Sequence, residues 1–150
     1  MTDIVTMQPR HIDGIEEIER ASFKTPWSRK MIEDELKNPL ATYFVCENNG
    51  KVVAYMGYYR ILDEAHITNI AVAEAYRRQG CGEKLFRYVL EDMRSKNVAR
   101  ATLEVNEHNL PAIALYEKNG FVLAGKRPCY YEGKDAALIY WRNIEGELLF

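Results

Sequence analysis

The chain has 150 residues, 47% hydrophobic and 28% charged, which is enough to bury one core without metal or disulfide support and fits a single domain over 1–150. A net charge of −2 and a pI near 6.0 exclude the broad basic surface that grips nucleic acid. No apolar run reaches the length of a membrane span and the start, MTDIVTMQPR, lacks a signal-peptide core, so the expectation is a cytoplasmic protein without a membrane partner.

A short strand is predicted near Ile4–Met7, then a helix over about 12–22 with Ile12, Ile15, Ile18 and Ala21 or Ser22 on one face. After TPWS, Ser28 is placed to cap a second helix, RKMIEDELK, which must stop before Asn38-Pro39. TYFVCE and KVVAYMGYYRIL read as two strands joined by the hairpin turn NNG. A strand near 65–73 leads through YRRQGCG into EKLFRYVLEDMRSK, a helix starting near Glu83 that carries Leu85, Phe86, Val89, Leu90 and Met93 on one stripe. RATLEVN alternates Ala101, Leu103 and Val105 against Thr102, Glu104 and Asn106. HNLPAIALYEKNG is a compact helix with Asn109 as N-cap, Pro111 in the first turn and Gly120 as its stop. Two strands follow, near 121–130 and 135–144. The strand–helix–strand unit in the middle requires a parallel pair and the hairpin an antiparallel one, so the fold class is α/β with a mixed sheet.

The three cysteines, Cys46, Cys81 and Cys129, are too few and scattered for a disulfide framework or zinc site, and Cys46 reads as a small buried hydrophobe. His11, His66 and His108 show no metal-ligand spacing, so no metal is expected.

A strand, a basic glycine loop and a helix make a phosphate-binding arrangement. A nucleoside-triphosphate loop fails because Lys84 follows Glu83 and no Ser or Thr is placed for magnesium. A dinucleotide fingerprint fits at Gly80 and Gly82 but meets Leu85 at its third position, and the acidic residue downstream, Glu104, lies inside its strand. The third reading is the diphosphate of coenzyme A. The two glycines would present bare amides, the helix its positive end, and Arg77 and Arg78 their charge. A turn that merely connects strand to helix is the plain alternative.

RRQGCG is similar to the R/Q-x-x-G-x-G/A signature of the GNAT superfamily of acetyl-CoA-dependent N-acetyltransferases. Further stretches resemble its RimI family, which acetylates protein N-termini: PWS at 26–28, NIAV at 69–72, LEVNEHNLPAIALYEKNGF at 103–121 and RPCYYEGKDAALI at 127–139. The resemblance implies the GNAT fold, with a mostly antiparallel sheet, a parallel cofactor unit and helices on both faces. It implies acetyl-CoA as co-substrate and the N-terminal alanine of the eighteenth small-subunit ribosomal protein as acceptor. A related enzyme acting on a small amine, or a non-catalytic acyl-CoA-binding domain, are the alternatives.

Acetyl transfer from a thioester to an amine requires loss of a proton from an α-ammonium of pKa about 7.7–8.0. A carboxylate acting through water, its own pKa raised by burial, can take that proton, and an acid must protonate the departing thiolate. Glu104, on the polar face of its strand, is the carboxylate in position; an ordinary solvated residue is its plain reading, and the resemblance makes it the general base. Tyr116 reads from spacing as a core tyrosine, and the resemblance makes it the general acid. Asn109 caps its helix and by resemblance also contacts the cofactor. The backbones of Ile70, Ala71 and Val72 are expected to bind the pantetheine arm like an added strand, one amide serving the oxyanion. From Arg78 through Gln79, Gly80, Cys81 and Gly82 to Glu83, backbone amides are expected to carry the diphosphate. Trp27, Tyr130 and Tyr131 are candidate walls of a peptide groove, with sheet packing the equal alternative. Cys81 stands where the family commonly has a bulky aliphatic residue, but offers mainly its backbone. It is set aside as an acyl relay, as is buried Cys46. Glu107 makes the stretch after Glu104 more acidic and is a candidate for tuning acceptor preference. The LLF end has no counterpart.

Overall fold

Among the described residues seven strands form one sheet in the order β1-β2-β3-β4-β5-β7-β6. The computed structural model describes residues 2–131 and 133–144, with the backbone alone at Asn69 and Cys129, so the LLF end lies outside the described residues. The strands are β1 (Thr2–Thr6), β2 (Ala41–Asn48), β3 (Lys51–Ile61), β4 (Glu64–Val72), β5 (Arg100–Asn106), β6 (Val122–Tyr131) and β7 (Asp135–Asn143). Every adjacent pair is antiparallel except β4 and β5, which run parallel across the helical crossover.

Among the described residues four α-helices cover the two faces, as the resemblance implied. α1 (Ile12–Ser22) and α2 (Arg29–Lys37) bury Ile12, Ile15, Ile18 and Ile32 against Tyr43, Val45 and Tyr55. α3 (Cys81–Ser95) and α4 (Leu110–Lys118) lie on the other face, where Leu85, Phe86, Val89 and Met93 are each fully buried. Burial of such a stripe stabilises by about 1.5–3 kcal/mol per side chain. The caps fall where turn chemistry puts them: Met31 N–H donates to Ser28 Oγ at 3.2 Å, and Ala112 N–H to Asn109 Oδ1 at 3.3 Å. Gly120, at φ +89, takes the left-handed conformation that follows the end of α4.

The buried stripe of α1 differs from expectation. Ala21 is exposed and Ser22 half-buried, while the carboxylate of Glu19 is 1% exposed. A helix with apolar residues every third position turns residue 19 inward beside Ile15 and Ile18 whatever its polarity. Glu19 Oε1 accepts Trp27 N–H at 2.8 Å and holds the α1–α2 turn, whereas its Oε2 has no partner. Burial pushes the Glu19 carboxyl above its ordinary value, the Trp27 amide partly opposing. Its ionisation is therefore disfavoured in the folded state: stability is full below the unfolded value of about 4.3 and falls as pH rises through the raised one. Glu19→Gln keeps the acceptor and, like the protonated acid, leaves one polar group unpaired. Its melting temperature should match wild type near pH 4 and exceed it by about 3 °C at pH 7; a difference independent of pH would show that Glu19 is not buried as a charge.

Candidate active site

The parallel pair β4–β5 is short. Glu64, Ala65 and His66 pair with Arg100, Ala101 and Thr102, and beyond them the two strands part. From Ile67 to Val72, β4 keeps a ladder only on its β3 side. Opposite Gly57, between the pairs Met56–Ile70 and Tyr58–Ile67, β4 carries one extra residue, a β-bulge at Thr68–Asn69. Thr68 Oγ donates to the Gly57 carbonyl at 3.1 Å across it. The bulge flips the alternation of β4, so that Ala65 and Ile67 before it, and Ile70 and Val72 after it, all face the α3 side.

Ile70, Ala71 and Val72 line a groove of about 680 Å³ that runs to the glycine loop, within the range usual for cofactor sites. Arg77, Arg78, Gly80, Gly82 and Glu83 line it from the loop, and Asn109, Pro111, Ala112 and Leu115 from α4. The helix starts at Cys81, two residues earlier than expected, because Gly80 at φ +83 serves as N-cap. Its first bond runs from Lys84 N–H to the Gly80 carbonyl at 3.0 Å, so the amides of the preceding turn have no carbonyl within the helix to bond. Arg78, at φ +62, also takes the left-handed conformation, unusual for a residue with a side chain.

Several loop residues have duties that the sequence did not show. Arg77 Nε donates to the Val72 carbonyl at 3.0 Å and its Nη2 to Ser22 Oγ at 3.3 Å, so Arg77 ties the loop to β4 and α1. The Val72 carbonyl is consequently engaged rather than free for a pantetheine arm. Gln79 turns back to the Ala75 carbonyl at 2.8 Å, and Cys81 is buried, its side chain outside the groove. Glu83 points its carboxylate at Lys118, 3.0 Å away, which with Arg87 holds the carboxyl below the usual range and offsets its negative charge beside the groove. Ser22, Phe23 and Tyr76 also line the groove. Ser22 and Phe23 come from the end of α1, distant in sequence, whereas Tyr76 opens the YRRQGCG loop itself.

Glu104 lies on β5 where the split opens. Its side chain is 34% exposed, so the expected burial is absent, and Arg127 Nη2 approaches Oε1 at 3.4 Å. Tyr131 is half-buried beside it; burial, then the Glu104 charge, then Tyr130 push the Tyr131 phenol up. Tyr116 is 5% exposed and its ring packs on Phe86 at 5.4 Å and Phe121 at 6.3 Å, as a core tyrosine would. Burial raises its pKa and Tyr131 adds to the effect, so it enters any reaction protonated. The structure thus gathers Glu104, Arg127, Tyr130, Tyr131 and Tyr116 into one group and the loop, β4 and Asn109 into another. α4 contributes to both, through Leu115 and Tyr116.

Trp27 belongs to neither group: its ring meets Tyr43 edge-on at 6.1 Å in the α1–α2 core. Glu107 is committed elsewhere, its Oε2 accepting Ala136 N–H at 2.9 Å and its Oε1 lying 3.5 Å from Lys126. Those partners hold its carboxyl below the usual range and join the start of the β5–α4 loop to β7, which leaves it no free carboxylate for choosing an acceptor. Glu107, His108 and Asp135 do bring ligand-type atoms within 4.8 Å of one another, a proximity hidden from sequence spacing, but Lys126 already supplies a cation there. Cys46 is fully buried, as expected of it. Among the described residues no helix is long and apolar enough to cross a membrane.

Residues 12–121 match the family described as Acetyltransferase (GNAT) family. A relative from Bacillus subtilis (strain 168), described as a candidate ribosomal protein bS18-alanine N-acetyltransferase, is 43% identical over 92% of this chain and 93% of its own. The crystal structure of the ribosomal-protein-S18-alanine N-acetyltransferase from Escherichia coli superposes with a TM-score of 0.90 at 34% identity, over 100% of this chain and 99% of that one. Arabidopsis thaliana NAA60 in complex with acetyl-CoA shares the fold, with a TM-score of 0.87 at 16% identity over 97% of this chain and 100% of that one.

Proposed function

The chain belongs to the GNAT acetyltransferase family, and from that premise we propose that it transfers the acetyl group of acetyl-CoA to the N-terminal alanine of ribosomal protein bS18. The observation that carries the reading is the split between β4 and β5, with an amide-rich loop at one end and a solvent-reached carboxylate beside it. It acts in the cytoplasm as one domain, with no metal in the reaction.

In this reading the Gly80–Glu83 amides and the first turn of α3 hold the diphosphate, assisted by the Arg78 charge. The free edge of β4 over Ile70–Ala71 aligns the pantetheine arm and gives one amide to the thioester oxygen. Glu104 takes the proton of the α-ammonium through water. The amine forms the new C–N bond directly on the carbonyl and gives up its second proton to water, the C–S bond breaks, and Tyr116 protonates the sulfur and is recharged from solvent.

Tyr116 is the weaker of the two catalysts. With a thiol near 8.5 and a tyrosine near 10, proton transfer to a free thiolate is already uphill by about 2 kcal/mol, and the burial of Tyr116 adds to it. Tyr116→Phe should therefore lower kcat by about tenfold and leave the peptide KM unchanged. A loss confined to thermal stability would reduce Tyr116 to a core residue.

A peptide-library acetylation assay on the purified chain tests the function. Acetylation of alanine-initiated peptides, with polyamines and other small amines left untouched, is the expected result; transfer to small amines alone would sink the ribosomal assignment.

A further inference from the structure

Arg127 and Tyr130 stand three residues apart on β6, and on an unbroken strand such residues face opposite sides of the sheet. Here they meet. Between the pairs Arg127–Ala137 and Tyr131–Asp135, β6 takes four steps to the two of β7. The surplus is a bulge over 128–130, begun by Pro128, which has no N–H for a ladder. The bulge places the Arg127 guanidinium carbon 5.7 Å from the centre of the Tyr130 ring, while Nη2 reaches 3.4 Å from Glu104 Oε1. Ring, guanidinium and carboxylate thus stand in series.

We infer that Arg127, clamped on the face of Tyr130, is a positioning residue that fixes the carboxylate of Glu104 for its work on the acceptor amine. The inference rests on the reading of Glu104 as the base. Opposite Glu104 on β7 stands Ile139, which cannot orient a carboxylate; Tyr131, half-buried beside it, stays neutral and carries no charge. A glutamate one-third exposed samples several rotamers, and catalysis suffers when the reacting group is not held in place. Arg127 closes on one oxygen and leaves the side chain open to water and substrate. The guanidinium is itself 55% exposed and would wander without the ring beneath it. Tyr130, 52% exposed, supplies that support.

The test is a double-mutant cycle read in kcat and peptide KM, with acetyl-CoA affinity as the folding control. Arg127→Ala should lower kcat about tenfold and Arg127→Lys should recover part of it. Tyr130→Phe keeps the ring beneath the guanidinium and should retain more of kcat than Tyr130→Ala. Tyr130→Ala should lower kcat about threefold, and in the Arg127→Ala background it should have no further effect. Effects that multiply, or a Tyr130→Ala change confined to KM, would overturn the inference and return Tyr130 to the groove wall. In a Glu104→Gln background, Arg127→Ala should change nothing more. If Glu104→Gln itself turns over normally, the base assignment fails, which is a different outcome from a failed cycle.

Discussion

Replacing Glu104 by glutamine should lower turnover of an alanine-initiated peptide by about a hundredfold or more and leave acetyl-CoA binding at wild-type strength. At neutral pH most of an α-amino group is protonated, and an ammonium cannot attack a carbonyl. A glutamine side chain has the same shape as the native one but could not accept the proton, so the loss belongs to chemistry and not to shape. Stability should hardly move, because the ion pair with Arg127 is exposed on both sides and such pairs contribute about 0–1 kcal/mol. Cofactor affinity should not move either, because Glu104 lies on β5, outside the lining of the groove. Steady-state acetylation beside calorimetry with acetyl-CoA separates the two quantities. Normal turnover in the variant would remove Glu104 from the mechanism, and a matching loss of acetyl-CoA binding would make it part of the groove instead.

The helices were the most legible part of the sequence, because a stripe such as Leu85, Phe86, Val89 and Met93 must face the core if its segment is helical. Capping was equally plain at Ser28, Asn109 and Gly120, where local chemistry decides the outcome. What escaped lies in tertiary geometry. Period-two alternation reads AHITNIAV as one regular strand, whereas the bulge at Thr68–Asn69 reverses its faces midway and frees its edge. Only the ladder reveals that β4 and β5 part after three pairs. The pairing of Arg127 with Tyr130 is hidden for the same reason, since it depends on the bulge over 128–130. Glu19 was missed because periodicity turns a position inward without regard to its charge. The loop glycines were legible as a candidate anion loop, and they do line the groove; the commitment of Arg77 to the Val72 carbonyl was not legible. The roles given to Glu104 and Tyr116 came from resemblance. Spacing alone leaves Glu104 an exposed strand residue, and packing leaves Tyr116 a core tyrosine.

Gly82→Val should abolish measurable acetyl-CoA binding at concentrations that saturate the wild type, a loss of at least about a hundredfold, while the chain still folds. Gly82 lies in the first turn of α3 outside the left-handed region, and a Cβ there would meet only Val72 Cγ2, at 3.4 Å. Because Gly82 and Val72 both line the groove, the added methyl groups would stand where a diphosphate has to lie. Excluding the anion from two amides forfeits two charge-assisted hydrogen bonds of about 1.5–3 kcal/mol each, and every 1.4 kcal/mol is a factor of about ten. Gly80→Ala provides the contrast. Its Cβ would enter open space, but alanine at φ +83 is strained by about 1 kcal/mol, so affinity should fall only severalfold through the shape of the loop. The order Gly82→Val far below Gly80→Ala identifies occupancy of the groove, and not loop conformation, as what the variant destroys. Wild-type binding by Gly82→Val, measured by calorimetry, would put the diphosphate elsewhere and leave Glu104 and Tyr116 without a thioester to act on.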